Sequence, residues 1–135
     1  MDAGDDAPLA RAPEPEDLAH ICRALNEVGA RYLLIGGFAV IAHGASRFTK
    51  DIDLLIDDAP DNVERVKRGL AVLADNAVAD VKADDVQTYG VVRVVDEVIV
   101  DLMGRACNLS YADAIADAEQ IEVLGVSTRS PVRRP

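Results

Sequence analysis

Apolar residues recur at helical spacing in two stretches of the chain. Leu18, Ile21, Leu25 and Val28 form one stripe. They predict an amphipathic helix that starts at Pro15, carries Glu16 and Asp17 in its first turn, and stops at Gly29. Val63, Val66, Leu70 and Leu73 form the other. They predict a helix from Asn62 to about Ala74, behind an Asp61-x-x-Glu64 capping box. Elsewhere the pattern is that of strands. Tyr32 to Ile35 is a short apolar run closed by Gly36-Gly37, and suits a buried strand. In the run from Asp51 to Ile56, Ile52, Leu54 and Ile56 face a core, while Asp51, Asp53 and Leu55 face the other way. Val91 to Val95 and Val98 to Leu102 read as a hairpin. Asp96-Glu97 is not a favoured two-residue turn, so the loop is expected to be a residue longer. Asp75 to Asp85 has no period and reads as a surface connection. Tyr111 to about Glu119 reads as a short helix behind Ser110, and Ile121 to Ser127 as a final strand bent at Gly125. The fold expected is α/β (α+β): a small twisted mixed sheet with helices packed mainly on one face. One domain, 15–127, lies between flexible tails at 1–14 and 128–135.

The chemistry concentrates between Leu33 and Asp57, LLIGGFAVIAHGASRFTKDIDLLID. Gly36-Gly37 after a strand lets backbone approach a ligand closely. A helix from about Phe38 would aim its free N–H groups at the same place, which favours a phosphate. Asp51 and Asp53, two apart on a strand, put both carboxylates on one face, where they repel unless a cation joins them. Mg²⁺ suits such a pair, because it takes oxygen ligands and is commonly shared between carboxylates and substrate phosphates. Arg47, Thr49 and Lys50 precede this strand. Arg47 and Lys50 either steady triphosphate charge or neutralise the acids, and Thr49 orders the loop. His43-Gly44 closes the short helix. The histidine is a base, a nucleotide contact, or simply a charge tolerated at a helix C-terminus, and the last is the plainer reading. Asp57 and Asp58 read as turn residues. Asp101 is a lone acid in the apolar run from Val98 to Leu102. Buried there, it requires a metal or a basic partner such as Arg93 or Lys82.

Gly36-Gly37, thirteen residues, then Asp51-x-Asp53, with Asp101 on a later strand, resembles the nucleotidyltransferase superfamily with the polymerase-β-like fold. Arg47 to Asp53 is most similar to the small prokaryotic nucleotidyltransferases of the abortive-infection and toxin–antitoxin type. The resemblance covers roughly Tyr32 to Tyr111. It implies transfer of a nucleoside monophosphate from an NTP, ATP by default, to an acceptor, with release of pyrophosphate. It further implies two Mg²⁺ ions bridged by Asp51 and Asp53, with Asp101 on the acceptor side. Gly36 and Gly37 would hold the β- and γ-phosphates, with Arg47 and Lys50 as further nucleotide contacts. Gly37 stands where many relatives carry Ser. Relatives also commonly continue into a further basic helix after the point where this chain ends. That difference supports an alternative: an inactive interaction module with the same fold, such as one component of a toxin–antitoxin pair.

Charge narrows the partners. The net charge of −10 disfavours a long nucleic acid, tRNA included, held by this chain alone. It favours a protein partner or acceptor, or a small molecule. Hydrophobic content of 50% with 4% aromatics calls for an aliphatic core. Cys22 and Cys107 are too few for a disulfide framework, and both read as buried free thiols in apolar settings. No apolar run is long enough to span a membrane and no export signal is visible, so a cytoplasmic protein is expected.

Overall fold

A computed structural model describes residues 10–37 and 50–131. Helix α1 spans Pro15–Glu27 and leads through a turn at Gly29 into strand β1, Tyr32–Ile35. Strand β2 (Asp51–Ile56) and helix α2 (Pro60–Leu70) follow. A 3₁₀ turn at Ala77–Asp80 and a short helix α3 (Asp85–Tyr89) lead to the hairpin of β3 (Val91–Val95) and β4 (Ile99–Met103). The last part holds β5 (Arg105–Ala106), β6 (Leu109–Ser110), helix α4 (Tyr111–Ile115), β7 (Glu119–Val123) and β8 (Val126–Ser130).

Among the described residues the main sheet has four strands in the order β1-β2-β4-β3. β2 runs antiparallel to β1 and parallel to β4, and β3 runs antiparallel to β4. The sheet is therefore mixed, and the chain has the expected α+β character. The alternation along β2 sets its two faces. Ile52, Leu54 and Ile56 join Val94, Val100 and Leu102 in the large core, beneath Leu18, Ile21 and Leu25 of α1 and Val63, Val66 and Leu70 of α2. Burying each such side chain contributes about 1.5–3 kcal/mol, which makes this face the main source of stability. Leu55 points the other way, with Leu33, into a small cluster under Ala114 of α4.

Several boundaries differ from the sequence reading, each for a local reason. Helix α2 starts at Pro60, before the expected capping box, because proline suits a first turn and Asp57 Oδ1 accepts from the Ala59 N–H at 3.1 Å. Asn62 is then free to turn inward. Its carboxamide joins Arg31 and Asp57, accepting from the Arg31 N–H at 2.8 Å and donating to the Asp57 carbonyl at 2.7 Å. The segment read as a surface connection instead buries Val78 and Val81, and Val86 just beyond it is buried too. Its hydrophobic positions fall on one side of two short turns, too brief for a period to show. Helix α4 ends at Ile115, not near Glu119. Ser110 does cap it, accepting from the Asp113 N–H at 3.2 Å. The expected last strand is two strands, β7 and β8, paired antiparallel. Leu124 and Gly125 between them both have positive φ (49° and 84°), the geometry of a tight hairpin rather than a bend. β8 runs past residue 127 to Ser130. At the other end Arg11, within the expected tail, forks onto Asp17 with two bonds of 2.6 Å. Cys22 is buried as expected, but Cys107 is exposed, at φ 51° in the β5–β6 turn. Among the described residues no helix is long and apolar enough to cross a membrane.

Candidate functional site

Strand register brings the carboxylates together. In the parallel β2–β4 ladder Asp53 lies opposite Asp101, and Asp51, two residues earlier on the same face of β2, lies opposite Ile99. One oxygen from each of Asp51, Asp53 and Asp101 can be chosen so that all lie within 4.8 Å of one another. Asp101 is only 5% exposed, so this is more than a solvated acidic patch. Its charge is met by Arg93, its partner across the β3–β4 ladder. Arg93 Nε donates to Asp101 Oδ1 and Nη2 to Asp101 Oδ2, both at 2.9 Å. Nη2 also reaches Asp51 Oδ2 at 3.3 Å. The sequence left open a metal or a basic partner for Asp101. The structure supplies Arg93, not Lys82, as the partner, beside the two other acids that a metal would need.

Asp53 carries the electrostatic strain of the cluster. Burial, then the neighbouring charges of Asp51 and Asp101, push its carboxyl up to about 6, against a smaller opposing pull from Arg93. A folded-state value above the unfolded one of 3.8 means that folding favours the protonated acid. Its contribution to stability is therefore full below pH 3.8 and is lost as pH rises through about 6. In the metal-free protein, a pH titration of the melting temperature should show this loss in the wild type. Asp53→Asn should remove it from the same pH window.

Gly36 closes the site on the β1 side. Ile35 pairs with Asp53, so the next residue passes directly beside the carboxylate. A Cβ at Gly36 would collide with Asp53 Oδ2, and the residue has φ 78°. Both facts require glycine there. Gly37 follows it. Lys50 is exposed and immediately precedes Asp51. Arg47, Thr49, His43, Gly44 and the segment from Phe38 to Ala42 lie outside the described residues, so the expected phosphate-facing helix does too.

The donor set suits a hard divalent cation. It is all oxygen, comes from two adjacent strands, and its mutual repulsion is what a bound cation would relieve. Two clefts of about 340 and 320 Å³ lie near the other end of the β1–β2 ladder, lined in part by Tyr32 and Ile56 and sharing Tyr111. Neither includes the carboxylates. The sequence signal for Arg93 was its place opposite Asp101 in the hairpin, visible only once the turn length is known.

A sequence model of the family described as "Nucleotidyl transferase AbiEii toxin, Type IV TA system" matches residues 18–132. No curated protein matches the chain.

Proposed function

The chain belongs to the AbiEii nucleotidyl transferase toxin family, and on that premise we propose that it moves a nucleoside monophosphate from an NTP to an acceptor hydroxyl, releasing pyrophosphate. ATP is the default donor. The acceptor is a protein, a small molecule or, less in keeping with a net charge of −10, a tRNA end. The observation that carries this reading is the meeting of Asp51, Asp53 and Asp101 within 4.8 Å on two neighbouring strands.

Asp51 and Asp53 would hold Mg²⁺, two ions in all, with Asp101 serving the acceptor side. Bound there, the ions would neutralise charge developing on the transferred phosphate and activate the acceptor oxygen. The protein's own part is positioning. Parallel pairing fixes the carboxylates of β2 against that of β4. Gly36 leaves the space beside Asp53 clear and, with Gly37, offers backbone to the phosphates. Lys50, next to Asp51, would add positive charge on the nucleotide side, the role the resemblance implies for Arg47 as well. The family description, a toxin of a toxin–antitoxin system, implies a protein antitoxin as counterpart. With ATP and Mg²⁺ as co-reactants, the cytoplasm is the fitting compartment. One observation favours the alternative of an inactive module: the ion pair with Arg93 satisfies Asp101 without any metal.

Thermal melting separates these readings. Wild type should melt several degrees higher with NTP and Mg²⁺ together than with either alone. A ligand at about 100 times its Kd adds roughly 2.7 kcal/mol, and a domain of this size gains several degrees from that. The ligand-induced shift should vanish in Asp51→Asn/Asp53→Asn. No shift with any NTP in wild type would transfer the weight to the inactive module.

A further inference from the structure

Arg93 is tied to the triad in a lopsided way. Asp101 is fixed, with its side chain only 7% exposed, whereas the Arg93 side chain is 55% exposed. Both oxygens of Asp101 are engaged by the guanidinium, and Asp51 receives the same Nη2. Arg93 thus contacts two of the three acids with its single charge. It also stands on β3, an edge strand of the described sheet, between Val91 and Val95, which are 50% and 53% exposed. Among the described residues no strand pairs with the outer side of β3. A guanidinium bound at both oxygens and a divalent cation on the same carboxylate repel each other. A long side chain on an open edge can withdraw at little cost in packing.

We propose that Arg93 is a resident counter-ion that competes with the divalent cation for Asp101 and Asp51, and that, once displaced, it binds the phosphates of the incoming nucleotide. The inference rests on the nucleotidyl transfer reading above and adds a residue to that site. Arginine suits both positions, because its planar fork matches carboxylate and phosphate alike. Its departure from the acids and its arrival on the phosphates would couple loading of the cation to loading of the nucleotide.

The test is calorimetric titration of metal-free protein with Mg²⁺, without nucleotide, for wild type, Arg93→Gln and Arg93→Lys. Arg93→Gln should bind Mg²⁺ about tenfold more tightly, a gain of about 1.4 kcal/mol. Arg93→Lys should fall between it and wild type. With Mg²⁺ saturating, the glutamine variant should bind a non-hydrolysable ATP analogue about tenfold more weakly than wild type. A second readout needs no variant. The Arg93 Nε–H resonance of wild type should move toward that of a solvated guanidinium as Mg²⁺ is added. Unchanged or weaker Mg²⁺ binding by folded Arg93→Gln would overturn the competition, as would an Nε–H signal that stays put at saturating Mg²⁺. Unaltered binding of the analogue would overturn the phosphate role. Failure of the transfer reading looks different: wild type then binds no Mg²⁺, and both proposals fall together.

Discussion

Asp53→Asn should reduce nucleotidyl transfer about a thousandfold and, in the same protein, raise the metal-free melting temperature at neutral pH. Few substitutions push activity and stability in opposite directions, and the site's geometry is the reason. Asp53 sits between Asp51 on its own strand and Asp101 across the ladder, half-buried, with Gly36 against its Oδ2. Folding the metal-free chain at neutral pH brings three carboxylates together, with Asp53 facing the charges of both Asp51 and Asp101. Asparagine keeps the shape and removes one of the charges. The repulsion falls, and so does the affinity for the cation. Loss of one preorganised electrostatic element costs roughly 10²–10³ in rate, and a metal-binding carboxylate belongs at the upper end of that range. Pyrophosphate release with Mg²⁺ and NTP, beside a melting curve without them, checks both halves. Activity within tenfold of wild type would remove Asp53 from the machinery. A lower melting temperature would mean that Asp53 is paired more favourably than its neighbours suggest.

The largest loss of stability from a single polar residue should come from Asp96→Ala, about 3–5 kcal/mol. Asp96 is the first residue of the loop between β3 and β4, and is buried. Its Oδ1 accepts from the Asp75 N–H at 2.8 Å and the Glu97 N–H at 2.7 Å, and its Oδ2 from the Ala77 N–H at 2.8 Å. It ties the β3–β4 hairpin to the segment after α2. Alanine would leave three donors without their acceptor. Asp96→Asn retains one carbonyl oxygen and should lie between alanine and wild type. Urea unfolding gives the sizes directly. The pH dependence has a definite sign. Burial pushes the Asp96 carboxyl up, but the three backbone donors outweigh it and hold it below the ordinary value of 3.8. Stability from this group is therefore present above pH 3.8 and lost as pH falls through the folded value. The acid limb of the wild-type stability curve should be shallower in Asp96→Ala.

Asp96 also shows where the sequence was silent. Asp96-Glu97 reads only as an unusual turn, and a buried acceptor of two distant N–H groups, with the adjacent Glu97 N–H as the third, leaves no local pattern. Asn62 is a similar case, masked by a plausible capping box that a proline pre-empted. Val78, Val81 and Val86 were hidden because one-turn elements are too short for periodicity to register. In contrast, the faces of β2 were legible, since Asp51 and Asp53 alternating with Ile52, Leu54 and Ile56 leave one register that keeps both acids out of the main core. The acids were legible for the same reason, because polar residues on an otherwise apolar strand require a partner. The identity of that partner was not, since Arg93 meets Asp101 only through pairing set by the three-residue loop.

The parallel pairing of β2 with β4 has a consequence in time. Asp53 and Asp101 face each other across a ladder whose strands lie about fifty residues apart in the chain, and at 5–20 residues per second that separation takes roughly 2–10 s to synthesise. Until β4 has left the ribosome, Asp51 and Asp53 have no third carboxylate beside them. If the three carboxylates do the work proposed for them, the nascent chain lacks a complete site until then. The hairpin that delivers Asp101 delivers Arg93 with it, because β3 joins the sheet only through β4, so the finished site forms with its own cation in place.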